Sequence, residues 1–185
     1  MSRSLRVNYN DAWYHVMNRG AGFREIFLSN KDRNFFLTLL GEITEQYNIE
    51  IHAYCLMKNH YHLLLKTPKG NVSEAIRHLN GLYARYFNRE RKTDGPLFRS
   101  RFKSTIVSND EYLIHVSRYI HLNPVRANMV KMAEEYQWSS CSLYLNISRA
   151  PSWCFTDKIL GCFTGQDKTY QYKKFVGSEN KKKSR

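Results

Sequence analysis

The stretch between residues 49 and 66 constrains this chain most. Ile49 to Met57 and His60 to Lys66 are two strand-length apolar runs, and only Lys58-Asn59 separates them. Two such runs joined by a pair of turn-forming residues read as a β-hairpin. A hairpin this apolar needs more strands and covering helices to be stable.

The flanking sequence supplies both. Trp13 to Met17 alternates like a strand and ends at the turn Asn18-Arg19-Gly20, and Glu25 to Leu28 reads as a short strand. Ser29 or Asn30 then caps a helix whose Phe35, Phe36, Leu39, Leu40 and Ile43 recur at helical spacing, ending near Tyr47-Asn48. After Pro68-Lys69-Gly70, a second helix is predicted from Val72 to about Arg89, with Ser73 as its cap and Ile76, Leu79, Leu82, Tyr83 and Tyr86 as its apolar stripe. Arg91 to Gly95 is a polar loop and Phe102 to Val107 a strand. Ser108-Asn109-Asp110 caps a third helix from Glu111 to Leu122, which Pro124 is expected to stop. This order predicts an α+β chain: a ferredoxin-like (RRM-like) antiparallel sheet with helices on one face. Residues 1–130 would form that unit. Residues 131–185 would form a C-terminal extension that packs on it, with a short helix near Trp138 to Leu145 and a basic tail.

Apolar residues make up 42% of the 185, enough for a real core, and charged residues 24%. No apolar run reaches the roughly 18 residues of a membrane span. Met1 to Asn10 is polar and basic without an apolar segment, so no secretory signal is expected there. Cys55, Cys141, Cys154 and Cys162 form no C-x-x-C pair, which fits reduced thiols in a cytoplasmic protein.

The net charge of +13 is unevenly placed. Residues 1–50 are neutral, with six basic and six acidic side chains, whereas residues 69–108 hold nine basic and three acidic, and residues 168–185 seven and one. Two basic blocks suggest a surface that tracks a polyanion. In the first, Tyr83, Tyr86, Phe87, Phe98 and Phe102 are interleaved with the cations, the composition that holds single strands by stacking and phosphate contacts. Several of these rings would serve equally as core. The tail Lys181 to Arg185 reads either as a nucleic-acid contact or as a solvated end.

Two constellations carry chemistry. His60 and His62 are two apart on a predicted strand, so their imidazoles leave one face and can share a divalent ion. A chain with seven histidines also yields such a pair by chance; Leu63, Leu64 and Leu65 mark the strand as buried, where imidazoles need partners. His115, Tyr119 and Asn123 fall at i, i+4 and i+8 on one face of the third helix. A phenol and a carboxamide there can act as nucleophile and oxygen ligand, or simply pack. His121 points off this face and reads as structural.

The strings Tyr54-Cys55-Leu56-Met57-Lys58-Asn59-His60-Tyr61-His62-Leu63-Leu64-Leu65 and Arg118-Tyr119-Ile120-His121-Leu122-Asn123-Pro124-Val125-Arg126-Ala127 resemble the His-hydrophobe-His segment and tyrosine helix of the single-tyrosine insertion-sequence transposases. The likeness is strongest to the REP-associated tyrosine transposases, whose pattern Tyr14 to Gly20 and Gly95 to Phe102 also match. It runs from about Tyr14 to Trp138. The resemblance implies a single-strand DNA endonuclease and transposase acting on hairpin, REP-like DNA. His60 and His62 would bind Mg2+ or Mn2+, with Asn123 where relatives carry a third ligand, often Gln. Tyr119 would attack a DNA phosphate, leaving a 5′-phosphotyrosine and a free 3′-hydroxyl. Tyr61, between the histidines, is more polar than the usual residue and should pack on the opposite face.

Backbone contacts are expected from Arg77, Arg85, Arg89, Arg99, Arg101 and Lys103, with Asn18 and Arg19 reading the single-stranded flank. The resemblance further implies a bacterial, nucleoid-associated protein working as a monomer or a homodimer. Two other readings remain at this point. One is a hairpin-DNA or RNA-binding module without activity. The other is a metal-dependent hydrolase using His60, His62 and a water, although no acidic residue lies between Ile51 and Ser73 to add ligands.

Overall fold

The computed structural model describes residues 8–145 and 150–178. The tail Lys181 to Arg185 lies outside them. Four strands form one sheet: β1 (Ala12–Arg19), β2 (Glu50–Leu56), β3 (His60–Thr67) and β4 (Lys103–Val107), in the order β2-β3-β1-β4. Every pairing is antiparallel. With helices α1 (Asn30–Tyr47) and α2 (Val72–Arg91) crossing between strands, this is the ferredoxin-like α+β topology the element order implies. Glu25 to Leu28 is not a strand; its backbone turns over the hairpin, with Ile26 and Phe27 N–H donating to the Lys58 carbonyl at 2.9 and 3.1 Å.

Local chemistry sets the boundaries. Ser29 and Asp32 form a reciprocal capping box at the start of α1, and Asn48 ends it in the left-handed conformation. Asn71 rather than Ser73 precedes α2, and its amide donates to the Tyr47 carbonyl at 2.7 Å, tying the two helix ends together. Just after β1, position 20 needs glycine, because a Cβ there would lie 2.2 Å from the Arg24 carbonyl oxygen.

The sheet is covered on both faces. Tyr14, Val16, Tyr61, Leu63 and Leu65 pack under α1 and α2. Ala53, Cys55 and Leu64 point the other way and pack under a third helix, α3 (Asp110–Arg126). The expectation of helices on one face therefore describes α1 and α2; α3 needs a surface for Leu113, Val116 and Ile120 and finds it on the second face. The residues after Met129 share that second core through Ala133, Tyr136, Cys141, Tyr144, Ile159, Leu160, Tyr172 and Val176. They include α4 (Cys141–Leu145), α5 (Asp157–Gly161) and α6 (Lys168–Gly177). The Tyr136 and Tyr144 hydroxyls donate to the Leu56 and His52 carbonyls of β2. Among the described residues no helix is long and apolar enough to cross a membrane.

Pro124 does not stop α3, which continues to Arg126. Proline removes the N–H that would bond the Ile120 carbonyl. The Asn123 amide compensates, donating to the Tyr119 carbonyl at 2.8 Å and the Ile120 carbonyl at 3.4 Å.

α3 is locked from its buried side. His121 is fully buried, with Nδ1 2.6 Å from the Tyr172 hydroxyl and Nε2 2.7 Å from Ser140 Oγ. Tyr172→Phe would strand a buried imidazole nitrogen, which typically costs about 1–3 kcal/mol. Urea denaturation should show that loss; a change below about 0.3 kcal/mol would mean the lock contributes nothing.

Candidate active site

Pairing of β1 with β3 sets Arg19 opposite His60, Met17 opposite His62 and His15 opposite Leu64. Directly opposed residues share a face, so His15, His60, His62 and Arg19 all point toward α3. Pairing with β4 adds Lys103, opposite Met17. Tyr61 faces the α1–α2 side, fully buried, its hydroxyl donating to Asn80 Oδ1 at 2.8 Å.

The histidines are organised as a set. His60 Nδ1 lies 2.6 Å from Asn59 Oδ1; that oxygen only accepts, so Nδ1 carries the proton and Nε2 keeps its lone pair. His62 Nδ1 lies 2.9 Å from His15 Nε2, with the two rings stacked at 5.1 Å. Burial lowers all three: His15 and His60 to about 4, and His62 to about 2 with His15, His60 and Arg19 adding to the effect. At neutral pH the site therefore presents uncharged imidazoles with lone pairs, the state that ligates metals.

Tyr119 stands over this set. Its ring meets His62 at 5.6 Å and His15 at 5.7 Å, edge-on in both cases, while 40% of the residue stays exposed. The Arg126 guanidinium lies 4.9 Å from the centre of the Tyr119 ring. The capping amide of Asn109, accepting from Tyr112 N–H at 2.7 Å, fixes where α3 starts and hence which residues face the sheet. His121 turns into the core, as its place on the helix suggested.

A divalent ion suits what is present. Two neutral imidazoles have their Nδ1 atoms held by neighbours, the arrangement that orients ligating histidines. The Asn123 side chain spends its nitrogen on the helix backbone and keeps the lone pairs of Oδ1, one turn beyond Tyr119. Among the described residues, no three His, Cys, Asp or Glu side chains converge as a metal site. What the histidine face offers an ion is thus neutral imidazoles rather than a carboxylate cage.

The basic residues separate into two groups. The loop before β4 is strapped to the end of β1, with Arg99 N–H on the Arg19 carbonyl and Ala21 N–H on the Leu97 carbonyl, both at 2.9 Å. Arg19, Arg99, Arg101 and Lys103 consequently line one cleft with Asn18. Asn18 itself is buried and caps Arg19 N–H at 2.9 Å. Arg77, Arg85 and Arg89 instead lie exposed on α2, which covers the sheet face away from the histidines. The interleaved aromatics of the basic block are core: Tyr83, Tyr86, Phe87 and Phe102 are buried, and Phe98 packs against that cluster.

Sequence reasoning did not place His15 or Arg126 at the site. For His15 the one available signal was its alternation with Met17 and Arg19 on β1, which fixes a face but not the opposing strand. For Arg126 it was the i+7 spacing from Tyr119.

A family model described as "Transposase IS200 like" matches residues 8–123. The chain belongs to this transposase family. It is similar to a Haemophilus influenzae protein provisionally named REP-associated tyrosine transposase, 24% identical over 139 residues, spanning 65% of this chain and 79% of that one. The fold is also that of a solved REP-associated tyrosine transposase bound to a REP hairpin, with a TM-score of 0.66 and 18% identity over 85% of this chain and 93% of that one.

The depressed histidines have a measurable consequence. The unfolded chain takes up protons near pH 6.5 while the folded one resists, so stability falls as pH drops below about 6.5. His121, fully buried and lowered to about 3, contributes up to about 1.4 kcal/mol per pH unit. In EDTA, NMR titration should show His15, His60, His62 and His121 still neutral at pH 5.5; titration of any of them near 6.5 would contradict their burial.

Proposed function

We propose that this chain cleaves and rejoins single strands of hairpin DNA, with Tyr119 as nucleophile and a divalent ion held by His60, His62 and Asn123. The observation that carries this reading is the Tyr119 ring set edge-on against His62 and His15 while remaining open to a substrate. Other tyrosines are as exposed, but among the described residues Tyr119 combines that exposure with contact to the neutral imidazoles, which supports a role in phosphate chemistry.

The Tyr119 oxygen attacks the phosphorus, the bond to the 3′-oxygen breaks, and that oxygen leaves as a 3′-hydroxyl after taking a proton. A 5′-phosphotyrosine remains. The phenol proton goes to solvent, because the neighbouring imidazoles, held well below neutrality, are poor bases. The Arg126 guanidinium packs on the Tyr119 ring, 4.9 Å from its centre, and helps hold it in place. A divalent cation bound there would supply Lewis-acid neutralisation of the phosphate. Two imidazole donors suit Mn2+ better than the oxygen-seeking Mg2+. The ester conserves the phosphodiester energy, so a second 3′-hydroxyl can reverse the step on a new partner strand.

The solved relative with a REP hairpin supports hairpin DNA as the substrate. The cleft of Arg19, Arg99, Arg101 and Lys103 adjoins the histidine face and offers a path for its backbone. Tyr119 meets its own chain's histidines, which favours action as a monomer.

Tyr119→Phe should abolish covalent DNA adducts on a denaturing gel and leave hairpin affinity within about twofold; surviving adducts would refute the nucleophile. His60→Ala with His62→Ala should remove cation-dependent cleavage, and undiminished cleavage would remove the ion site. Each cleft arginine replaced by alanine should flatten the slope of log affinity against log salt by about 0.7, the value for one single-strand phosphate. An unchanged slope would place the DNA elsewhere.

A further inference from the structure

The nucleophile is one of three exposed rings along α3. Tyr112, His115 and Tyr119 stand at i, i+3 and i+7, one face of a helix. Tyr112 is 41% exposed and His115 is also exposed, while the core-facing positions are Leu113, Val116, Ser117 and Ile120. These three rings, with His15 and Val116, line one open groove that runs from Tyr119 toward the start of α3. The extension borders it: Phe175 of α6 meets the His115 ring edge-on at 5.5 Å. The chemistry at Tyr119 makes no use of Tyr112 or His115.

The two sides of the nucleophile differ in kind. Arg19, Arg99, Arg101 and Lys103 line the cleft that adjoins the histidine face, a lining for phosphates. The groove along α3 is lined by flat rings and one valine, with no charged lysine, arginine or carboxylate. A strand cut at Tyr119 carries a base within one nucleotide of the scissile phosphate, and an open, ring-walled groove beside the nucleophile accepts a flat base while its sugar and phosphate stay outside.

We infer that this groove is a stacking site for one unpaired nucleobase next to the scissile phosphate, with Tyr112 as the principal stacking face and His115 as its polar edge. The inference rests on reading Tyr119 as a nucleophile toward single-stranded DNA. Every base has a π-face, so the site secures the strand without specifying its sequence. Seating the base there would hold the phosphate over Tyr119.

The test uses single-stranded flanks of a hairpin carrying 2-aminopurine at successive positions, bound to the full chain in EDTA so that no cut occurs. Stacking quenches this base. One position adjoining the cut should be quenched on binding. Tyr112→Ala should restore its fluorescence and weaken binding about 5- to 150-fold, the range for losing one stacked base to alanine. Tyr112→Phe should bring back both the quench and the affinity. Tyr112 is exposed, so circular dichroism should show both variants folded. Unchanged quenching in Tyr112→Ala at every position would overturn the inference. Covalent adducts of the wild-type chain with Mn2+ report Tyr119 separately. Adducts with a Tyr112-independent quench sink the base site alone, and a Tyr112-dependent quench without adducts sinks the nucleophile alone.

Discussion

The register between β1 and β3 is the constraint on which the site depends. Met17 stands opposite His62 and Arg19 opposite His60, so His15 and Arg19 of one strand share a sheet face with His60 and His62 of the other. Because side chains alternate, a slip of one residue would turn His60 and His62 into the α1–α2 core and bring Tyr61 out. The burial of Tyr61 among aromatics, with its hydroxyl on Asn80, opposes that slip. The same register brings His15 Nε2 to His62 Nδ1 at 2.9 Å, a contact no local sequence pattern encodes.

α3 completes the site, and it is held by what lies behind it. Leu113, Val116 and Ile120 bury against the sheet, while His121 binds Tyr172 and Ser140 from the extension. Tyr119 thus sits on a helix fixed from its opposite side, which keeps its exposed ring in one place relative to the imidazoles. Pro124 would weaken the last turn, and the Asn123 amide offsets part of that loss. One side chain therefore serves helix continuity with its nitrogen while its oxygen makes no part of that repair.

Much of this was legible in the sequence. The hairpin at 49–66, the capped starts of α1 and α3, and the shared face of His60 and His62 follow from periodicity and turn chemistry. The second layer was not legible, because α3 and the residues after Met129 meet the sheet through contacts distant in sequence, such as Tyr136 with Leu56 and Tyr144 with His52. The aromatic residues of the basic block misled for a related reason: periodicity cannot tell a ring that stacks on a base from one that fills a core. Composition likewise grouped Arg77, Arg85 and Arg89 with Arg99 and Arg101, although α2 carries the first three to the other side of the sheet.

The most direct measurement of the central claim is the site of covalent attachment. After reaction with hairpin DNA and Mn2+, nuclease and trypsin digestion should yield a peptide spanning residues 119–126 with a nucleotide added. Within it Tyr119 is the one hydroxyl-bearing side chain. Mass spectrometry finding the adduct on this peptide is the expected result. An adduct on any other peptide, or cleavage with no adduct at all, would contradict the account.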